Sequence, residues 1–468
     1  MCDKTARFLS GNCMVGRRNT FVYLLGSYLL ALLMLSPLSA ATAGEARHDD
    51  RLRIHRYAPF SVQDLVSYSH RLDATSDTNP RQHIKVGVYG RQLALSLENN
   101  VQLQQSLPRN QASLLRGDLD GAPGSWVRLT TTVTGTHGLI WDGREMYAVE
   151  PGVEIRDQLA HSLPAPVTDT VIFKLADTTM DFGNDYCGTA ARSEASPSSG
   201  QAVYQALASD LSQTPAQAAE PTLILEMQVL ADAAFRAEFQ SDQQALDAIA
   251  VRLNNVDGIF TAQMGLRIVA SDVHLYQSDP LGLSDSSDAQ TLLNSLGQLR
   301  NSKPGMNSYA ATHLFTGRDL DGDTLGIAYI GNVCSTRYGA SLSEIRNRGA
   351  WIDSLVAAHE LGHQLGAVHD GTGSCAGTPA QSYLMGAQIN GSSEFSQCSR
   401  EAILATMQNA SCLLPVSVPN IGDVMAQPQN ESAKSSGGGA FGMGWWWLGT
   451  LVWLRKKAHP RPRSAQLN

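Results

Sequence analysis

The residues with the clearest chemistry lie in one run, His359-Glu360-Leu361-Gly362-His363-Gln364-Leu365-Gly366-Ala367-Val368-His369-Asp370. His359 and His363 are four residues apart, so on a helix both imidazoles leave one face, a turn apart, and reach a single ion from a rigid support. Gly366 follows, and glycine accepts the left-handed conformation that ends a helix and turns the chain. That turn brings His369 back as a third nitrogen ligand. Three histidines leave a fourth position open to water, the arrangement of a catalytic zinc. Glu360 points roughly 100° away from His359 around the helix, beside the ion rather than at it. A carboxylate there can take a proton from zinc-bound water and later hand it to a leaving amine, the chemistry of peptide-bond hydrolysis. The plain alternative, surface histidines on an amphipathic helix, accounts for a bare His-Glu-x-x-His but not for the added Gly366 and His369.

These ligands require a helix, expected from about Trp351 to Leu365, and a scaffold behind it. Thr222–Leu230, Leu266–Tyr276, Ala310–Phe315 and Leu325–Ile330 read as strands. Ser241–Phe260, with Ser241 as N-cap, and Asp288–Leu299 have helical spacing. The alternation predicts an α/β layer over residues 222–415. Upstream, residues 44–187 carry short β-like runs at Ile84–Tyr89, Leu93–Leu97, Trp126–Thr130 and Glu145–Val149 between turn signals, which predicts a mostly β domain. Residues 188–221 are rich in Ala, Ser, Gln, Thr and Pro with little charge, as in a linker or a cleavable segment.

With 468 residues the chain has room for two domains. A net charge of −8, with no basic patch away from the termini, argues against a nucleic-acid partner. Residues 1–43 read as an export signal: Lys4, Arg7, Arg17 and Arg18 precede the apolar run Phe21–Leu38, and Ala41-Thr42-Ala43 offers a cleavage site. An uncleaved anchor is the alternative. Residues 416–439 form a second, Gly/Ser-containing linker. Residues 440–468 hold a short apolar run with Trp445, Trp446, Trp447 and Trp453, followed by Arg455, Lys456 and Lys457. An apolar run with a basic exit reads as a membrane segment with its charges on the cytoplasmic side; a buried core helix is the alternative. Cys334, Cys375, Cys398 and Cys412 suggest two disulfides in an exported protein, with three pairings open. Cys187 is left over and needs a reason. His55, His70, His83, His137, His161, His274 and His313 show no ligand spacing and read as surface or satisfied interior residues.

The run from His359 to Asp370 resembles the extended zinc signature of the metzincin superfamily, and Met385 in Ser382-Tyr383-Leu384-Met385-Gly386 resembles its methionine turn. Asp370 directly after the third histidine marks the adamalysin (reprolysin, ADAM-like) branch. The stretches His313–Asp319, Gly326–Cys334 and Phe395–Ser399 are similar to that branch, and the likeness spans about Thr222 to Leu414. It implies an α/β (α+β) catalytic domain with a twisted, mostly parallel sheet and an active-site helix, binding Zn2+ through His359, His363 and His369 with Glu360 as catalytic residue. It also implies the pairings Cys334 with Cys412 and Cys375 with Cys398, and an edge strand at Gly326–Gly331 along which a peptide substrate lies. The specificity pocket is then expected between the zinc helix and the loop of about Gly386–Phe395. Gly121–Trp126, Gly138–Ile140 and Tyr147–Pro151 are more loosely similar to the family's propeptide. In that setting Cys187, within Asp185-Tyr186-Cys187-Gly188, stands where a propeptide thiolate closes the fourth zinc position; a buried free cysteine is the alternative.

Two departures matter. Glu226 matches a glutamate of the family's calcium site, but Ala310 and Pro415 replace the aspartate and asparagine that complete it, so no calcium is expected there. No cysteine-rich or disintegrin-like region follows Leu414; the tail instead resembles a bacterial glycine-glycine sorting signal. Between Cys187 and Asp232 the only basic residue is Arg192, which argues against activation at a dibasic site. The expectation is an exported, monomeric zinc endopeptidase made latent, transiently held at a membrane by its tail and acting on protein or peptide substrates. The alternatives are a non-catalytic zinc-containing adhesion module and a membrane-anchored sheddase.

Overall fold

The structure is a computed structural model that describes residues 52–66, 79–108, 111–160, 169–182, 186–188, 221–279, 282–346 and 348–416. The expected export signal, most of both linkers and the apolar tail lie outside the described residues. Among the described residues no helix is long and apolar enough to cross a membrane.

The upstream region is built on a nine-stranded sheet whose neighbouring strands are all antiparallel. At its centre lie β1 (Trp126–Thr131), β2 (Thr136–Trp141) and β3 (Met146–Pro151). Successive strand residues point to opposite faces, and here both faces are covered. Val127, Leu129, Ile140, Tyr147 and Val149 form one apolar cluster, while Trp126, Leu139, Trp141 and Ala148 join the main core. This double burial explains why the strands read as near-continuous apolar runs. The expected strands at 84–89 and 93–97 are found as Gln82–Val88 and Arg91–Asn99, and Ser113–Leu119 and Thr170–Lys174 are additional.

The downstream region contains a six-stranded sheet of β4 (Leu223–Ala231), β5 (Leu266–Leu275), β6 (Ala311–Thr316), β7 (Gly326–Ala328), β8 (Ala340–Glu344) and β9 (Leu414–Pro415). Its order is β5-β4-β6-β8-β7, with β9 beside the start of β4. The pairings β5/β4, β4/β6 and β6/β8 are parallel, and β8/β7 and β4/β9 are antiparallel. The expectation of a mostly parallel sheet needs correction for the structure as a whole: in this sheet the three longer pairings are parallel and the two shortest antiparallel, but over all the described strands antiparallel pairing predominates. The edge strand is also shorter than the 325–330 expected, because the chain after Ala328 turns back: Gly331 N donates to the carbonyl of His363 (2.8 Å).

Among the described residues the four longer helices of this region are α1 (Asp242–Met264), α2 (Ala289–Ser302), α3 (Ala350–Gln364) and α4 (Gln397–Asn409); the first three pack on the sheet, and α4 packs against α1. Ser241 caps α1 by accepting from Gln244 N, Asp288 caps α2 through Thr291 N, and Ser396 caps α4 through Ser399 N. Gly265, with φ of 63°, closes α1 in the left-handed conformation. Helix α1 is buried on both sides. Ala245, Ile249 and Leu253 join the core, and its other flank carries Asn254, Asp257 and Gly258 toward the nine-stranded sheet. Arg128 Nε and Nη2 donate to Asp257 Oδ2 at 3.0 and 2.9 Å, and Asn254 Nδ2 reaches the carbonyl of Leu129 and the hydroxyl of Thr130. Gly258 is required at this crossing: a Cβ there would lie 2.6 Å from Arg128 Cγ and 2.7 Å from the Trp126 ring.

Candidate metal centre

Helix α3 is held at three points. Its apolar residues Ile352, Leu355 and Leu361 join the core. Arg252 of α1 donates to Asp353 Oδ2 at 2.6 Å, and Asn255 donates to the Ser354 hydroxyl at 3.1 Å. Its N-terminus has no local side-chain cap. Instead Glu150, at the end of β3, accepts from Trp351 N at 2.7 Å across 201 residues of sequence. A carboxylate at that end satisfies an orphan amide and complements the helix dipole. Glu150 is itself paired with His137 Nδ1 at 2.8 Å; burial lowers the imidazole's pKa, but Glu150 and the charge of Glu154 together outweigh it and the net shift is upward.

The first two ligand candidates leave α3 from its last two turns. His359 and His363 lie on one face, and Gly366, with φ of 97°, turns the chain so that His369 returns. A Cβ at Gly366 would stand 2.4 Å from Thr406 Oγ1 of α4, so the turn needs glycine for space as well as for conformation. His369 Nε2 lies 3.2 Å from His359 Nε2 and 3.1 Å from His363 Nε2. The Nδ1 atoms of His359 and His363 face the carbonyls of Leu384 (2.7 Å) and Ala367 (2.8 Å). Those contacts fix the tautomer, with the proton on Nδ1 and the Nε2 lone pair turned inward. Burial, aided by the neighbouring imidazoles, holds the pKa of His359 well down and puts His363 at about 3; burial alone puts His369 at about 4. Three unprotonated nitrogens in mutual contact call for a cation. Nitrogens 2.0–2.1 Å from a tetrahedral zinc sit roughly 3.3 Å apart, close to the spacing found.

Cys187 completes the cluster. It is buried, its Sγ lies 3.4 Å from His363 Nε2, and all four candidate donor atoms fall within 4.8 Å of one another. Three imidazole nitrogens and one sulfur make a donor set that suits zinc. The flanking backbone runs parallel to β7, with Gly188 N donating to Gly326 O at 2.9 Å and Tyr186 O accepting from Leu325 N at 2.6 Å. The free edge of the sheet is thus occupied by residues 186–188. Glu360 stands beside the cluster, fully buried, with Oε2 3.7 Å from Cys187 Sγ and no hydrogen-bond partner at Oε1. Burial pushes its carboxyl pKa well up. Met385 lies under the helix, against Gly362, where a Cβ would approach Met385 Sδ to 2.8 Å. Asp370 N donates to Met385 O at 2.9 Å, and the Asp370 carboxylate accepts from Ser396 Oγ at 2.6 Å. Disulfides join Cys334 to Cys412 and Cys375 to Cys398, the pairings that the resemblance implied.

Three contributors escaped the sequence reading. Tyr186 was recognised only as a neighbour of Cys187; its hydroxyl lies 2.6 Å from His359 Nδ1. Glu150 had no signal at all. Gln364, between the second histidine and the turn, donates to the carbonyls of Tyr329 and Ala340 (both 2.7 Å) and ties the helix to the edge strand. Of the histidines expected to be bland, His313 is buried between the hydroxyls of Ser341 and Ser343 (2.9 Å each), while His70 and His161 lie outside the described residues.

Residues 224–407, which contain this whole cluster except Tyr186 and Cys187, match the family model Reprolysin_5, described as metallo-peptidase family M12. Among known proteins, the chain is 27% identical over 188 residues to a zinc metalloproteinase/disintegrin of Bitis gabonica. That alignment covers 40% of this chain and 57% of the relative, so the chain spans little more than half of the relative's length. Both matches support a reprolysin-type zinc metalloprotease reading for the downstream region.

Proposed function

We propose that the chain is a zinc endopeptidase of the adamalysin-like kind, made in a latent form and exported. The observation that carries this is the convergence of His359, His363 and His369 through their Nε2 atoms, with the unpartnered Oε1 of Glu360 alongside. Zinc bound there would supply a Lewis acid that polarises a peptide carbonyl and acidifies water. The remaining work falls to the protein. Leu384 O and Ala367 O hold two imidazoles in the ligating tautomer, and β7 offers backbone groups to an extended peptide. Glu360, kept from solvent with a raised pKa, is suited to accept a proton and return it to a departing amine. Gly326 leaves it room, since a Cβ there would meet Glu360 Oε1 at 2.5 Å.

Residues 44–187 serve as propeptide in this reading, and Cys187 as the group that keeps the fourth position closed. The placement of its sulfur beside His363, and of its backbone along the edge strand, favours that role over an inert core cysteine. The apolar tail is proposed as a transient membrane anchor on the sequence resemblance alone. The test is digestion of a mixed peptide library by zinc-loaded protein activated by limited proteolysis after Gly188, compared with Glu360→Gln. Cleavage by the first and at least a 1000-fold loss in the second is expected. Zinc retained with no cleavage by either would favour the non-catalytic binding module.

A further inference from the structure

Tyr186 is 2% exposed and Cys187 is fully buried, yet both belong to a short segment laid along β7. Successive side chains leave an extended backbone in different directions. Cys187 reaches the histidine cluster. Tyr186 enters a recess between α3 and the loop after Leu384, walled by Leu355, Val356, Leu384 and Ile389, with Gln388 and Asn390 at its polar side. Its ring lies 4.9 Å from that of His359, and only about 10 Å³ remains open beside it. The recess is thus filled by an aromatic side chain one residue away from the sulfur that closes the metal position. No other described part of the upstream region needs a tyrosine there: the hydroxyl reaches His359 Nδ1, on the downstream side.

We propose that Tyr186 occupies the substrate side-chain pocket, and that the activated enzyme selects peptides carrying Tyr or Phe in the position next to the cleaved bond. The inference rests on the endopeptidase reading given above and deepens it. The pocket's walls are apolar along their length and polar at one side, a match for an aromatic body with or without a hydroxyl tip. When the 186–188 segment leaves, the recess stands next to the reacting centre and along the strand that orders a peptide. The segment itself is not cut because it presents a thiol, not a peptide carbonyl, to the metal position.

The test uses the full chain, expressed with its upstream region, zinc-loaded and activated by limited proteolysis after Gly188. A degenerate peptide library reports the residues on either side of each cut. At least a 10-fold enrichment of Tyr or Phe over Ala at one flanking position is expected, and Val356→Phe, which fills the recess, should move the preference toward Ala and Ser. As a measurement independent of that variant's folding, acetyl-Tyr-Cys-Gly should inhibit at least 10-fold better than acetyl-Ala-Cys-Gly. Cleavage with no aromatic preference, or equal inhibition by the two peptides, overturns the pocket assignment and leaves the endopeptidase reading standing. No cleavage of any library member by zinc-loaded protein from which the severed upstream region has been removed brings down both.

Discussion

Arg128→Met tests what joins the two regions. The substitution keeps an apolar stem against Gly258 but deletes the two donors to Asp257 Oδ2, in a pair whose side chains are 5% and 0% exposed. Asp257 would retain Asn100 Nδ2, Thr261 Oγ1 and Ile268 N, each at 3.1 Å, and none of them carries charge. Breaking a buried ion pair on one side costs about 3–5 kcal/mol, because the other charge stays behind without its counterion. The three retained hydrogen bonds, and the more distant guanidinium of Arg267, place the expected loss at the lower end, about 3 kcal/mol. That corresponds to roughly a 100-fold change in the unfolding equilibrium, since each 1.4 kcal/mol is tenfold. Equilibrium urea unfolding of the full chain, followed by tryptophan fluorescence, reads it, and Trp126 lies at the affected crossing. Asp257→Asn in the same chain should recover at least about 1 kcal/mol, because the stranded charge is then removed. A loss below about 1 kcal/mol for Arg128→Met, or no recovery in the double variant, would refute the argument that this pair anchors the upstream sheet to α1.

Gly362→Ala would drive a methyl to 2.8 Å from Met385 Sδ and 2.9 Å from the Phe395 ring; overpacking of that kind costs about 1–3 kcal/mol and should lower zinc retention during dialysis against a chelator, so unchanged zinc content would count against the packing argument. His313 titrates at about 3 in the folded chain against an ordinary 6.5, because burial disfavours its charged form. The unfolded chain therefore binds that proton more tightly: the contribution is full above pH 6.5, falls as pH drops below it, and should cost about 2 kcal/mol by pH 5 at about 1.4 kcal/mol per pH unit. His313→Asn should flatten that limb of the stability–pH curve, and an unaltered slope would show that the proton is taken up elsewhere. Replacing Cys334 and Cys412 together by serine opens a span of 78 residues; loop-closure entropy puts the loss near 4.5 kcal/mol, and a change under about 1 kcal/mol in urea unfolding would contradict it.

The metal helix was legible because ligand spacing and helical period coincide at His359 and His363, and because Gly366 is a local signal for the turn that follows. Ser241 announced its helix for the same reason, since a cap is settled within four residues. What could not be read was settled at a distance. Helix α1 carries Asn254, Asp257 and Gly258 on a face that a sequence reading assigns to solvent; that face is covered by strands more than a hundred residues upstream. Glu150 caps α3 from 201 residues away, and no spacing rule reaches that far. The stretch holding β7 was legible as a strand but its antiparallel direction was not, and β9, two residues long, gave no signal. Tyr186 was visible only as the neighbour of a cysteine, and its pocket is assembled from α3 and a loop that carry no aromatic signal of their own.

The backbone bonds that lay Tyr186–Gly188 along Gly326 have a kinetic consequence. While the chain is continuous the segment is a tethered ligand, presented to the cleft at an effective concentration on the order of millimolar, however dilute the protein. A cut anywhere in 189–220 removes that guarantee but none of these contacts, because the nine-stranded sheet remains seated through Arg128, Asn254 and Glu150. On the proposed latent-enzyme reading, silence would from then on depend on a bimolecular equilibrium. Cutting would start a clock rather than throw a switch: activity would appear at the rate at which the severed piece dissociates, and only where dilution prevents its return. A concentrated and a dilute solution of the same cut protein would then hold it in two different states.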